Sequence, residues 1–212
     1  MSSVQKIQDF QEVLKSRRSV RYYDSSVKIS REEMTQMLEE ASLAPSSVNL
    51  QPWRFVVIES PEAKAKLLPL AKFNTNQVET SSAVLAVFGD LNFPDYAEEI
   101  FSDAVKLGYM SQEVKDQRLA SYLPLLNSLP VEKRRDSVLI DAGLISMQFM
   151  LVARAHGYDT NPIGGYNKEQ IAEAFGLDPE RHVPVMLISI GKADKAGHPS
   201  NRLSVARTTE WR

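Results

Sequence analysis

Cysteine is absent from the 212 residues, which excludes disulfides, thiolate nucleophiles, iron–sulfur ligation and cysteine-based zinc sites. Histidine is scarce: His156, His182 and His198 stand far apart, with no H-x-x-x-H pair and no carboxylate at ligand spacing, so no metal site is expected. The nine glycines form neither G-x-G-x-x-G nor a Walker A sequence, which argues against a Rossmann or P-loop nucleotide site. A nucleophile-elbow G-x-S-x-G is also missing. Charge of one sign is not in excess, because 25 Lys and Arg face 27 Asp and Glu for a net charge of −2. No global field then draws the chain to nucleic acid or to an anionic membrane, and neither is an expected partner.

Long apolar runs are lacking too. The most apolar stretch, Val138 to Ala155, is broken by Asp141, Gln148 and Arg154, whereas a spanning helix needs about 18 nearly unbroken apolar residues. The opening segment carries Lys6, Asp9, Glu12 and Lys15 and no apolar block of signal-peptide length. A cytoplasmic location is the expectation. What is present, 43% apolar and 25% charged residues, is the composition of a globular protein. Without a linker, a low-complexity tract or an internal repeat, residues 1–212 read as a single domain.

Apolar residues at Val4, Ile7, Phe10, Val13 and Leu14 have helical period, predicting a first helix over 4–15. Ser30 followed by Glu33 is a capping box, placing a second helix up to Pro45. Strands are expected at 54–59, 83–89 and 183–191, with a short one at 158–160; all are short runs bounded by Pro, Gly or Ser. Helices are expected at 61–70, 95–107, 110–126, 138–155 and 168–175. The 138–155 helix is apolar on more than one stripe, so it needs neighbours on several sides, in the centre of the fold or partly in a subunit interface. The order gives an α+β or α/β domain. Residues 92–135, charged and poor in β-branched types, read as a helical excursion, either a lid over the active face or plain solvated helices.

Four segments carry chemistry. In extended Arg17-Arg18-Ser19-Val20-Arg21, alternate side chains share a face, so Arg17, Ser19 and Arg21 present two guanidinium forks and a hydroxyl together. Guanidinium groups suit phosphate because their planar donors engage two oxygens at once; a solvated basic run is the competing reading. Ala44-Pro45-Ser46-Ser47-Val48-Asn49-Leu50-Gln51-Pro52-Trp53 offers hydroxyls and amides on a loop fixed by proline at both ends, suited to the heteroatom edge of a flat ring, or simply to capping its own backbone. Asn161-Pro162-Ile163-Gly164-Gly165-Tyr166 contains paired glycines that let backbone approach a ligand, or form a plain turn. Pro199-Ser200-Asn201-Arg202-Leu203, after the last strand, returns a further cation.

In this order and spacing the four segments resemble the FMN-dependent nitroreductase family across nearly the whole chain. The resemblance implies an α+β, nitroreductase-like fold, with a mixed central sheet surrounded by helices, and an intertwined homodimer with FMN at the subunit interface. It assigns Arg17, Arg18, Ser19 and Arg21 to the FMN phosphate and ribityl chain, together with Arg202. By the same resemblance Pro45, Ser46, Ser47 and Asn49 form the loop that the other subunit lays against the flavin. Asn74 and Gln77 fall near the pyrimidine edge. Ile163, Gly164 and Gly165 form the turn over the flavin, with the Gly164 amide facing N5. Two positions depart from many relatives: Gly164 stands where an acidic residue is common, and Ser200 where a Lys is.

The chemistry implied is ping-pong transfer of hydride from NADH or NADPH through flavin N5 to a small-molecule acceptor such as a nitroaromatic or quinone. No side chain is assigned as acid or base, and Gln77 and Arg21 are the donors expected to steady the reduced ring. The alternatives are a flavin-binding redox sensor or reserve with little turnover, or a reductive dehalogenase-type relative on the same scaffold.

Overall fold

The computed structural model describes residue 6 and residues 9–212. Helix α1 spans Phe10–Ser16 and starts at Asp9, whose carboxylate accepts the Glu12 N–H at 2.9 Å. The start expected at Val4 lies outside the described residues; among those described, this cap sets the helix start. Helix α2, Arg31–Ala41, begins as its capping sequence predicts, Ser30 Oγ accepting from the Glu33 N–H at 3.1 Å. Met34, Met37 and Ala41 are its buried face.

Four strands follow: β1 at Trp53–Ile58, β2 at Ala83–Asp90, β3 at Asp159–Ile163 and β4 at His182–Gly191. They form one sheet in the order β1-β2-β4-β3, and every neighbouring pair is antiparallel. A mixed sheet was expected. The N-terminal segment supplies parallel pairing only through one isolated bridge, Ser19 to Thr160, because Tyr23 next turns away to an antiparallel bridge with Ala193.

All eight residues of β2 are buried, since both of its faces are covered. Ala83, Leu85 and Val87 face one apolar core with α2 residues, Ile145 and Phe149, while Val84, Ala86 and Phe88 face a second with Leu67, Val78 and Ile171. The alternation of strand side chains thus assigns each layer. On the second face lie α3 (Pro61–Leu67, capped by Ser60), α4 (Thr75–Thr80) and the single turn of α8 (Ile171–Ala174). Residues 68–70 and 72–74, expected within or after α3, form separate 3-10 turns. Helix α8 is shorter than its expected span because Asn167 Oδ1 holds the amides of Glu169 and Gln170 in a turn.

Within residues 92–135, α5 spans Ala97–Lys106 and α6 spans Gln112–Ser128, and the segment runs on into the next helix. The long helix α7, Val131–Ala155, starts seven residues before the apolar periodicity does. Its charged first two turns project beyond the core, where periodicity gives no signal. By length and composition α7 could cross a membrane, yet it packs on α1, α2 and all four strands. It approaches β2 so closely that a β-carbon on Gly89 would stand 2.7 Å from Val138 Cγ2.

Strand β3 continues through Ile163, beyond the expected end at residue 160. Pro162 is accommodated because β3 is an edge strand, where the missing N–H costs no ladder bond.

Candidate functional site

The N-terminal cation segment is fixed by its neighbours. Arg17 caps the end of α1, donating its N–H to the Val13 carbonyl at 3.1 Å. Just before it, Ser16 Oγ accepts from Arg154 Nε at 2.9 Å, and Arg154 also pairs with Asp159 at 2.9 Å, tying α1, α7 and β3 together. The Val20 N–H then donates to the Thr160 carbonyl, burying Val20 while Ser19 and Arg21 stay exposed. The expected alternation holds only around Val20: Arg18 and Tyr22, which it would place on the side of Val20, are exposed, and the next buried side chain is Tyr23, whose hydroxyl meets Ser189 Oγ at 2.8 Å.

Arg202 is returned to this segment by the chain after β4. Gly197 passes against it so tightly that a β-carbon there would stand 2.6 Å from Arg18 Cβ and 2.9 Å from the Ser19 carbonyl oxygen. Partial burial, then the charges of Arg202 and Arg18, hold the Arg17 guanidinium below the usual arginine range. Among the described residues, no carboxylate lies within 4 Å of Arg17, Arg18, Arg21 or Arg202. Like charges gathered without an acid disfavour the fold locally and invite a polyanion. Arg18 spends part of its donor set on the α1 end, giving Nη1 to the carbonyls of Lys15 and Arg17. Ser200 Oγ accepts from Arg202 Nη1 at 2.9 Å and so orients that guanidinium.

The second group is also assembled. Asn74 Nδ2 donates to the Gly165 carbonyl at 2.9 Å, and Gln77 Nε2 donates to Asn74 Oδ1 at 3.1 Å. Gln77 is buried and Gly164 exposed, with nothing within 4 Å of a β-carbon placed on Gly164. Asn76 Nδ2 reaches Tyr22 Oη at 3.2 Å, linking this group to the cation segment. Ile163, last residue of β3, is buried opposite Leu187 and fixes where Gly164 emerges. Arg17, Ser19, Arg21, Asn74, Gln77, Ile163, Gly164, Gly165 and Arg202 therefore belong to one neighbourhood on the β3 side.

The loop at 45–51 is elsewhere. It leads into β1, at the opposite edge of the sheet from β3, about 14 Å away by three strand spacings. Its path is unusual: Val48, Asn49 and Gln51 all have left-handed backbone, at φ 54°, 58° and 46°. Such conformations cost about 1–3 kcal/mol each in a side-chain-bearing residue and persist only where the surroundings impose them. Here Ser46 Oγ accepts from the Gln51 N–H at 3.0 Å, and Arg54 donates to the Gln51 carbonyl at 3.1 Å. From α7, the Asp141 carboxylate accepts the Ser47 N–H at 3.0 and 3.1 Å and the Ser47 hydroxyl at 3.2 Å. Pro45, Ser47 and Asn49 are exposed, with Ser46 half-buried. The excursion packs beside this loop: Leu50 shares a third apolar core with Phe93, Phe101 and Val138.

A model of the nitroreductase family matches residues 14–192. The chain belongs to the nitroreductase family. It is 63% identical over 207 residues to YdgI of Bacillus subtilis, named as an NAD(P)H nitroreductase, covering 98% of this chain and 99% of that protein. An enone reductase of Lactiplantibacillus plantarum, named for CLA biosynthesis, is 39% identical over 204 residues, covering 96% of this chain and 94% of that one. Among solved structures, a nitroreductase of Exiguobacterium sibiricum crystallised with FMN superposes with TM-score 0.97 at 61% identity, covering 99% of this chain and 100% of that one. The family therefore accounts for the antiparallel four-stranded core and the helices around it.

Sequence reasoning did not single out Asp141, Gly197, Arg154 or Asp159 as parts of this arrangement. Asp141 left a trace, as an acid interrupting an apolar helix. Arg154 left the same trace, but its pairing with Asp159 depends on the turn from α7 into β3 and its bond to Ser16 on a partner 138 residues away; Gly197 left none, because the segment it packs on is distant in sequence.

Proposed function

We propose that this chain is an FMN-dependent NAD(P)H oxidoreductase that reduces small-molecule acceptors such as nitroaromatics or quinones in ping-pong fashion. The observation that carries it is the cluster of half-buried Arg17 with exposed Arg18 and Arg202, whose charges lower the Arg17 guanidinium, with no acid paired to them among the described residues. Those guanidinium groups and the Ser19 hydroxyl fit a phosphate monoester, and the adjoining Asn74, Gln77 and Gly164–Gly165 backbone fit the polar edge of a flat heterocycle. The relative crystallised with FMN supports the identity of that ligand.

Bound FMN supplies hydride acceptance from NAD(P)H at N5 and delivery to the acceptor. The protein's part is to hold and bias it. Arg17 and Arg202, with Arg18, Ser19 and Arg21, bind the phosphate and ribityl chain. Gln77, kept in place by Asn74, would donate to the pyrimidine edge and steady added negative charge there as a preoriented dipole. Gly164 would offer its backbone amide to the bound ring and, having no side chain, would leave that side open to substrates.

A homodimer completes the site in this reading. The 45–51 loop and the cation cluster sit at opposite sheet edges, so Pro45, Ser46, Ser47 and Asn49 reach a flavin held by a second copy. Surfaces suited to that contact are present. The α7 stripe Ile140, Leu144 and Met147 is 65%, 45% and 40% exposed. The tail residues 198–212 are all exposed, with Trp211 at 90%.

The test is the visible spectrum of the purified protein, release and identification of its chromophore, and sedimentation of the holoprotein. FMN bands that NADH or NADPH bleaches and an acceptor restores, from a dimer, are expected. Tight FMN that bleaches slowly favours the sensor alternative. A colourless protein that takes up no added FMN overturns the reading, as does full FMN occupancy in an Arg17→Ala, Arg202→Ala double variant.

A further inference from the structure

A carboxylate buried in an apolar helix is costly unless it does something there. Asp141 is 3% exposed, between Ile140 and Ala142 on α7, and no Lys, Arg or His nitrogen lies within 4 Å of it among the described residues. Its only hydrogen-bond partners among them are the N–H and hydroxyl of Ser47, three contacts at 3.0–3.2 Å. Ser47 immediately precedes the left-handed residues Val48 and Asn49. A main-chain N–H and a side-chain O–H aimed at one carboxylate fix both the position and the rotation of the Ser47 peptide. The backbone that leaves Ser47 has little choice but the observed path.

We propose that Asp141 is the positioning residue of the 45–51 loop, holding Ser47 so that the strained turn at Val48–Asn49 keeps the shape it presents to the flavin of the second subunit. The last clause rests on the reading of the loop given above. Asp141 acts through Ser47 and touches no reacting atom. Its neighbours along α7 explain why the acid is placed there. Ile140 and Leu144 are exposed on the same helix, so the Asp141–Ser47 contact lies at the margin of the surface assigned to the second copy, where a loop without an anchor would be free to collapse.

The experiment uses the full-length holoprotein and the variants Asp141→Ala, Asp141→Asn and Ser47→Ala. Amide hydrogen exchange reads the loop directly, and FMN affinity by fluorescence titration with the visible circular dichroism of the flavin reads the consequence. Asp141→Ala is expected to speed exchange at Ser47 through Leu50 by about tenfold or more and to weaken FMN by about tenfold, as loss of hydrogen bonds to a charged group does. Amides of β2 and β4 stay protected. Asp141→Asn keeps one acceptor oxygen and nearly the same volume, so it is expected to restore part of both effects, and Ser47→Ala, which retains the N–H contact, to show a smaller loss than Asp141→Ala.

Unchanged loop exchange in both Asp141 variants overturns the proposal. So does faster loop exchange with wild-type FMN affinity and flavin dichroism, because the loop would then be held for no flavin. If Asp141→Ala does not fold, the Asp141→Asn and Ser47→Ala pair decides on the same two readouts. Failure of the wild-type protein to bind FMN is a separate result: it removes the functional reading and leaves the exchange measurement to judge Asp141 alone.

Discussion

Gly197 and Arg18 are in backbone-close contact, with room for a hydrogen and not for a methyl: a β-carbon on Gly197 would meet Arg18 Cβ at 2.6 Å. The chain after β4 is thereby seated on the cation segment, and Arg202, five residues further on, is returned to Arg17. Gly197→Ala should lift this crossing and draw Arg202 away. Loss of one charge-assisted contact to phosphate predicts FMN binding weaker by about 1.5–3 kcal/mol. Titration of Gly197→Ala, Arg202→Ala and the double variant checks it. The two losses should fall well short of additive, since a glycine that works by placing Arg202 has little left to do without it.

Ser200 puts a hydroxyl beside the cation cluster, where the family resemblance led to the expectation of a Lys. Its Oγ already orients Arg202, so Ser200→Lys adds a cation and removes an orienting bond at once. The added charge is exposed and therefore screened. The expected outcome is tighter FMN at low salt by about 0.3–1 kcal/mol, fading as salt rises. FMN titrations at two ionic strengths measure it, and an effect that persists in high salt would contradict this account.

The parts of the fold that were legible in the sequence are those governed by local chemistry. Ser30 and Glu33 announce α2 because an N-cap is complete within four residues, and the Ala83–Phe88 run announces β2 because a strand buried on both faces must be apolar throughout. The charged turns of α7 from Val131 to Ser137 were illegible, since a helix projecting past its core has no periodic constraint. Strand β3 was cut short at Pro162 for a related reason. Whether proline is tolerated depends on being at a sheet edge, and edge position is set by tertiary topology. At the site, Arg17, Ser19 and Arg21 were candidates from strand alternation and Arg202 from its place after the last strand, with their roles toward a flavin given only by family resemblance. Asp141 required knowing that residues 94 apart in sequence meet.

Asp90 is a test of what anchors the loop from its other side. Its side chain is fully buried and meets Arg181 at 2.8 Å and Arg54 at 3.1 Å; the Arg54 guanidinium lies 4.1 Å from the Tyr96 ring centre and donates to the Gln51 carbonyl. Burial pushes the Asp90 carboxyl up, but hydrogen bonds from Arg181 and Asn92 and the two arginine charges outweigh it, leaving the net shift downward. A carboxyl lowered on folding contributes stability that is present above the ordinary carboxylate range and is lost as pH falls through its folded value. Asp90→Asn should therefore lower the melting temperature at neutral pH and show a shallower decline toward acid than the wild type. Asp90→Ala, which strands two guanidinium groups, should cost about 3–5 kcal/mol in denaturant unfolding.

Asp141 has the opposite sign. Burial raises its carboxyl above the ordinary value, only partly offset by the Ser47 bonds. The folded state then keeps this proton to higher pH than the unfolded state does, so stability from this group is present at low pH and falls as pH rises from the ordinary aspartate value, about 4, through the raised folded one. Asparagine does not titrate. The difference in melting temperature, Asp141→Asn minus wild type, should therefore become more positive between about pH 4 and pH 7, although the variant loosens the loop. Thermal unfolding of both proteins across that range checks it. A residue kept only for stability would give the reverse slope, with asparagine falling further behind as pH rises. A positive slope together with faster exchange at Ser47 identifies a carboxylate retained at some cost in stability because it keeps the loop in its left-handed path.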